Sequence, residues 1–253
     1  MKITFLGTGT SQGVPVIGCD CAVCTSADSK DKRLRVSVLI EIGDKVIVID
    51  SGPDFRYQML RAGVKRLDAI LFTHEHKDHI AGLDDVRAFN YFQQQAMEVY
   101  AHKRVQESLI REFYYAFASV KYPGVPLINL NEIRNTAFTV EGIEVLPIEV
   151  MHYKLPVFGF RIGDFSYITD AKTISEEEMD KVRGSKIVVV NALQKEKHIS
   201  HFTLDEAIHF ASEVKAEKTY FTHMSHRLGK HQEIMLELPE SIELAYDGLV
   251  LDL

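Results

Sequence analysis

The run Thr73-His74-Glu75-His76-Lys77-Asp78-His79 constrains this chain more than any other stretch. Four potential metal ligands, His74, His76, Asp78 and His79, fall within six residues, directly after the apolar run Ala69-Ile70-Leu71-Phe72. A strand projects successive side chains to opposite faces and a helix repeats every 3.6 residues, so neither alone brings all four together. A short buried strand that ends in a tight turn and runs into a helix does. Imidazole and carboxylate donors together suit zinc, manganese or iron. The competing reading, a polar loop merely rich in histidine, leaves that ligand chemistry without a reason.

Other apolar runs end on polar side chains in the same way. Asp50 follows Lys45–Ile49, His152 follows residues 145–150, Asp170 follows residues 165–169, and His223 follows Lys218–Thr222. Polar groups at strand ends facing a common rim are how α/β enzymes assemble sites. The segments between them have a consistent grammar. Residues 3–6 read as a first strand, followed by the small-residue loop from Gly7 to Gly13, a tight turn or a substrate contact. Residues 36–42 and 45–49, joined by Gly43-Asp44, read as a hairpin, and Phe55–Ala62 as a helix. In the second half, residues 143–150, 157–162, 165–169, 186–191 and 218–222 read as strands. Ser175 caps a helix to Val182, and Thr203 with Glu206 forms a capping-box pattern opening a helix to Val214. Residues 249–253 close the chain. No linker or low-complexity segment interrupts this order, so residues 1–253 read as a single α/β domain of two similar halves. Residues 86–135 differ: Phe89, Tyr91, Phe92, Tyr100, Phe113, Tyr114, Tyr115, Phe117 and Tyr122 mark a helical, aromatic-rich insertion. Most of these rings are expected to pack a small core of their own, the alternative being a wall over the site.

Charge and cysteine usage exclude several function classes. The 253 residues carry a net charge of −7, so no global basic field draws in macromolecular nucleic acid. No apolar run approaches the ~18 residues of a membrane span, and the first residues are too soon interrupted for a secretory signal. Cys19, Cys21 and Cys24 are an odd, crowded set, a poor disulfide framework and a good thiolate metal clip. They place the chain in a reducing compartment, most simply the cytoplasm.

The sequence His74-x-His76-x-Asp78-His79, followed by His152, Asp170 and His223, resembles the full ligand set of the metallo-β-lactamase superfamily. The resemblance implies an αββα sandwich, two mixed β-sheets flanked by helices. It implies two divalent metals, manganese or zinc: His74, His76 and His152 on one, Asp78, His79 and His223 on the other, Asp170 bridging. Diiron members usually carry glutamate where His76 stands, and zinc β-lactamases cysteine where Asp170 stands, which leaves the hydrolytic branch. Gly7-Thr8-Gly9-Thr10-Ser11 before Gly13-Val14-Pro15 resembles the opening of ribonuclease Z. Gly18-Cys19-x-Cys21-x-x-Cys24 is similar to the phosphoribosyl cyclic phosphodiesterases, where three cysteines and a histidine hold a structural zinc; His226 stands at that histidine's position. His201-Phe202-Thr203 resembles the histidine that protonates the leaving group, so His201 and Asp78 are the expected catalytic residues. The implied activity is hydrolysis of small cyclic phosphate esters by an activated water, with His201 as general acid. Rivals are a tRNA 3′-processing endonuclease and a non-hydrolytic protein like the B protein of pyrroloquinoline quinone assembly. Family members often dimerise, which leaves room for a homodimer. Asp50 is expected to orient ligands. Arg33 and Arg35 are read as a solvated basic run, the alternative being a contact to a substrate phosphate, and His102, His198, His209 and His231 as structural or surface residues.

Overall fold

The computed structural model describes residues 1–253, and in it the branched apolar runs become strands of two sheets. The first sheet takes β1 (Lys2–Gly7), β2 (Ser37–Ile42), β3 (Lys45–Ile49), β4 (Ala69–Leu71), β5 (Met97–His102) and β6 (Ile128–Ile133). The second takes β7 (Phe138–Val140), β8 (Ile143–His152), β9 (Leu155–Ile162), β10 (Phe165–Tyr167), β11 (Thr173–Ile174), β12 (Ile187–Asn191), β13 (Lys218–Thr222) and β14 (Ile242–Leu244). The last strand, β15 (Val250–Asp252), returns to the first sheet and pairs antiparallel with β1. Spatial orders are β15-β1-β2-β3-β4-β5-β6 and β11-β8-β9-β10-β12-β13-β14, with β7 on β8. Both sheets are mixed: β1, β2 and β3 run antiparallel and β3 to β6 parallel, while β8, β9 and β10 run antiparallel and β10 to β14 parallel.

Period-two alternation sorts the side chains into layers. Ile47 and Ile49 face Phe158, Phe160 and Val189 in the core between the sheets, whereas Val48 faces outward. The outer face of the first sheet buries Val48, Ile70 and Val99 under α1 (Phe55–Ala62), α3 (Arg87–Gln93), α4 (Lys103–Glu112) and α5 (Tyr114–Phe117), α2 (Lys77–Ile80) being a short turn beside them. The outer face of the second sheet buries Ile148, Val188 and Phe221 under α6 (Glu176–Val182), α7 (Leu204–Val214) and α8 (His231–Met235). The architecture is the expected helix–sheet–sheet–helix sandwich. Ser175 caps α6 by accepting from Glu178 N–H, and Thr203 and Glu206 close a reciprocal capping box on α7. No helix is long and apolar enough to cross a membrane.

Residues 86–135 depart from expectation. They hold α3, α4 and α5, but also β5 and β6, which extend the first sheet in parallel. Phe89 and Phe113 join the core shared with β3 and β4 rather than a core of their own. Tyr100, Tyr115 and Phe117 also pack against the cores, whereas Tyr91, Phe92, Tyr114 and Tyr122 are exposed, so burial does not explain these four rings. Strand pairing across the sheet, not local helix tendency, decides this segment.

Candidate metal centre

The chain leaves β4 at Leu71, turns through residues 73–76, and enters α2 at Lys77. His76 is the N-cap of that helix with an extended backbone (φ −65, ψ 150), so His74 and His76 project from the turn and Asp78 and His79 from the helix. His152 arrives at the end of β8, Asp170 just after β10, and His223 just after β13. The structure brings all of these together. His74, His76 and His152 form one group and Asp78, His79 and His223 another, with the donor atoms of each within 4.8 Å of one another. Asp170 stands between them: its Oδ2 is 3.3 Å from His79 Nε2 and 3.4 Å from His223 Nε2. Its Oδ1 is 4.0 Å from His152 Nε2 and 3.0 Å from His201 Nε2. Asp78 Oδ2 lies 3.2 Å from His79 Nε2 and 3.7 Å from His223 Nε2.

Two of these donors lack a well-formed hydrogen bond: His79 Nε2 and His223 Nε2 are buried, with only the Asp78 and Asp170 carboxylates beside them at 3.2–3.7 Å. Such an orphan costs about 1–3 kcal/mol, a cost removed when the ring nitrogen binds a cation. Electrostatics agree. Burial opposes charge on Asp170, yet His223, His79 and the bond from His201 hold its carboxyl well below the usual range. Asp78 behaves alike, burial again being outweighed by His79 and by bonds from His223 and His79. Burial, with His79 beside it, drives His74 well down, keeping its ring neutral and its lone pair free. Burial also acts against charge on His79, but Asp78, Asp170 and Asp50 together raise it well above its ordinary value. A proton and a divalent cation therefore compete for that nitrogen.

Hydrogen bonds behind the rings fix their orientation. Asp50 Oδ2 accepts from His79 Nδ1 at 2.7 Å and from Thr73 Oγ1 at 2.8 Å, and Oδ1 from Thr73 N–H at 2.9 Å. Thr73 Oγ1 is also 3.0 Å from His74 Nδ1, and His152 Nδ1 donates to Ser200 O at 2.9 Å. Thr73 and Ser200 were not anticipated from the sequence. Their only signal is position, each being next to a histidine already singled out. The loop after Asp50 locks onto the α2 turn. Ser51 N–H donates to His79 O at 2.8 Å, and a Cβ on Gly52 would stand 2.0 Å from Asp78 O.

Cys19, Cys21, Cys24 and His226 lie together. His226 Nδ1 is 3.2 Å from Cys19 Sγ and 3.5 Å from those of Cys21 and Cys24, in a four-residue donor group. The backbone N–H of Cys24 lowers the Cys21 thiol to about 6, while burial pushes Cys24 up to about 11. Met224 ties the two sites. Its N–H donates to Thr8 O at 2.9 Å and its carbonyl accepts from Thr10 N–H at 3.1 Å, stitching the N-terminal loop to the segment between His223 and His226.

One expectation needs correction. Arg33 is not part of a solvated run: it is 1% exposed, with Nη2 3.4 Å from Asp31 Oδ1 and Nε and Nη1 unpartnered. Arg35 is held by Asp54 at 3.2 Å and by Ser11 O at 3.2 Å. Of the histidines read as structural or surface residues, His231 is buried and His198 touches His201 at 3.2 Å.

Residues 45–224 match the family model described as the β-lactamase superfamily domain. A Porphyromonas gingivalis protein named octanoyltransferase is 42% identical over 98% of this chain, which spans 51% of that protein. A ribonuclease Z of Staphylococcus epidermidis is 25% identical over 64% of this chain and 49% of its own. The chain thus spans about half the length of these curated relatives. Among solved structures, a new diphosphatase from the PhnP family is 41% identical with a TM-score of 0.93, over 100% of this chain and 97% of that one. With the family model covering more than half of the chain and that structure matching it throughout, the chain belongs to the β-lactamase superfamily.

Proposed function

We propose that the chain is a binuclear metal-dependent phosphodiesterase that opens small cyclic phosphate esters, such as phosphoribosyl 1,2-cyclic phosphate or 2′,3′-cyclic nucleotides. One observation carries this reading: Asp170 stands between two donor groups, and in the second of them His79 Nε2 and His223 Nε2 are buried without a well-formed hydrogen bond. In it His74, His76 and His152 would hold one divalent metal and Asp78, His79 and His223 the other, with Asp170 within reach of both groups and manganese or zinc suited to the donors. Such metals would supply Lewis acidity toward a phosphate ester and make water a nucleophile at neutral pH. The chain's own residues orient and move protons. Asp50, Thr73 and Ser200 aim the ring nitrogens, and His201 Nε2, beside Asp170, donates to the departing oxygen, an effect worth about 10²–10⁴-fold. Burial first lowers His201, to about 4, with Asp170 acting the other way. The negative charge of a bound phosphate ester adds to the side of Asp170 and favours the protonated ring. Cys19, Cys21, Cys24 and His226 hold a structural zinc in a closed tetrahedral set, and the free thiols fit a reducing compartment.

The solved relative named a diphosphatase favours a second reading, cleavage of a diphosphate link, in which the same displacement expels a phosphate instead of a ribose oxygen. The net charge of −7 weighs against a tRNA substrate. We assign acyl transfer in the Porphyromonas protein to the half this chain does not match. The test is metal-loaded protein against phosphoribosyl 1,2-cyclic phosphate, 2′,3′-cyclic AMP, a diphosphate-linked dinucleotide, bis(p-nitrophenyl) phosphate and a precursor tRNA. Ring opening of a cyclic ester is the expected result. Preference for the dinucleotide moves the assignment to the second reading, and no turnover with manganese, zinc or nickel refutes both.

A further inference from the structure

Behind His201, on the side away from Asp170, stands a second histidine. His198 Nδ1 is 3.2 Å from His201 Nδ1, and Ser200 Oγ is 3.0 Å from the latter and 3.3 Å from the former. The backbone N–H of Ser200 approaches the same His198 nitrogen at 3.4 Å. A backbone N–H only donates, so His198 Nδ1 carries the lone pair and its ring proton sits on Nε2. Two bare nitrogens facing each other at 3.2 Å repel, so His201 Nδ1 bears a proton and donates it toward His198. The opposite nitrogen, His201 Nε2, lies 3.0 Å from Asp170 Oδ1 and donates to it when the ring carries protons on both nitrogens, the form that delivers the proton. The ring is also pinned on its faces, stacked 4.9 Å from His223 and edge-on 4.6 Å from His152.

We propose that His198 is the positioning residue for His201, accepting its Nδ1–H so that Nε2 is the nitrogen that hands a proton to the departing oxygen. The inference rests on the phosphodiesterase reading. In the step, the oxygen of a water that has given one proton to bulk solvent forms a bond to phosphorus, and the bond from phosphorus to the departing oxygen breaks, its electron pair going to that oxygen. The Nε2 proton follows the pair. His201 is left as the neutral Nδ1–H ring, the tautomer that His198 already favours. Burial, then Lys172, then His152, His223 and Arg227, lowers His198, which keeps its lone pair at neutral pH. Ser200 Oγ cannot replace it, because a hydroxyl rotates to donate or accept and enforces neither tautomer.

The test compares two leaving groups. A ribose oxygen needs a proton to depart, whereas p-nitrophenolate departs without one, so a positioning role separates them and a merely structural one does not. His198→Ala is expected to lose about 10–100-fold in kcat on 2′,3′-cyclic AMP with KM within about 2-fold, and at most about 3-fold on bis(p-nitrophenyl) phosphate. His198→Asn, whose side-chain oxygen takes the place of Nδ1, recovers most of the loss. Metal content by elemental analysis stays at the wild-type value in both variants. Nitrogen-15 shifts of His201 read the tautomer without any turnover: Nδ1–H in the wild type, a mixture in His198→Ala. Wild-type protein inactive on every ester but showing the Nδ1–H ring counts against the phosphodiesterase reading and leaves His198 its place. Equal losses on both esters, no loss on either, or a wild-type His201 protonated only on Nε2 overturns the proposal.

Discussion

Asp50 offers the sharpest separation between holding the fold and holding the metal. It is fully buried, and three donors converge on it: His79 Nδ1 at 2.7 Å, Thr73 Oγ1 at 2.8 Å and Thr73 N–H at 2.9 Å. Asp50→Ala removes a charge-assisted bond worth about 1.5–3 kcal/mol from His79. At 1.36 kcal/mol per tenfold, that predicts roughly 10–100-fold weaker metal binding. It also strands the two Thr73 donors, about 1–3 kcal/mol each, partly offset because a desolvated carboxylate disappears, leaving a net loss of about 2–4 kcal/mol. Asp50→Asn behaves differently. The amide oxygen still takes Thr73 N–H, so stability stays closer to wild type. The amide N–H₂ then faces His79 Nδ1, which must accept, and the proton moves to Nε2, the nitrogen aimed at Asp78 and Asp170. Asn is therefore expected to bind metal at least as weakly as Ala while melting nearer to wild type. Competition with a chromophoric chelator gives the affinities and thermal unfolding gives the stabilities. An Asn variant with wild-type metal affinity, or one that binds clearly better than Ala, would show that the bond from His79 to Asp50 does not set the tautomer.

Three further outcomes are expected. Gly52→Ala puts a Cβ 2.0 Å from Asp78 O, so the turn carrying Asp78 must shift, at about 1–3 kcal/mol. Both melting temperature and metal content should fall, and wild-type metal content would contradict the packing argument. Cys24→Ser should lower the metal count by one per chain by elemental analysis and loosen the residue 14–24 loop, whose apolar cluster is only Val14, Val23 and Cys24. An unchanged count would remove the structural zinc. His231 is lowered from 6.5 to about 4 by burial, with Lys30 and Arg33 adding to it. Between those values the unfolded chain binds a proton that the folded chain does not, so stability falls as pH drops through that window. His231→Gln should flatten that acid slope in urea unfolding, and a slope identical to wild type would clear His231 of the effect.

Much of this was legible in the chain because the site sits where local patterns end. Strands that finish on Asp50, His152, Asp170 and His223 announce themselves by an apolar run meeting a polar residue, and Thr203 with Glu206 announces α7. What failed depended on distant partners. The alternation in Met97-Glu98-Val99-Tyr100-Ala101-His102 is real, buried at every other position, yet its meaning as a strand comes from pairing with β4 and β6. Aromatic residues on the flanking helices masked it. Arg33 reads as solvated because it sits in the charged run Lys30-Asp31-Lys32-Arg33-Leu34-Arg35. Its confinement comes from Asp31, whose Oδ1 is also bonded by the backbone N–H of His231, two hundred positions away. The link between His198 and His201 depends on a turn that only three-dimensional geometry closes.

The backbone explains why the strand ends can aim these side chains at all. Asp50, Asp170 and His223 have φ of 63°, 58° and 54°, and Tyr153, next to His152, has 58°. Left-handed backbone costs a non-glycine residue about 1–2 kcal/mol, and glycine would relieve it. At Asp50, Asp170 and His223 glycine would also delete the donor. Elsewhere the same conformation is ordinary: Gln94 and Lys215 end helices, and Glu141 with Gly142 turns β7 into β8. At the site it reverses the chain so that a side chain leaving the sheet swings to the rim instead of continuing the face alternation. Bonds at or next to each strained residue hold the reversal. Asp50 N–H donates to Leu71 O at 2.9 Å, Ala171 exchanges two bonds with the Asn191 amide at 2.7 and 3.0 Å, and Met224 N–H donates to Thr8 O at 2.9 Å. The strain persists because rigid neighbours over-determine it. The last of these clamps anchors the segment that runs from His223 to His226, the residue that meets the three cysteines. Loosening the clip should therefore relax His223 toward an ordinary strand end, which ties the thiolate site to the metal centre through backbone geometry rather than through any shared ligand.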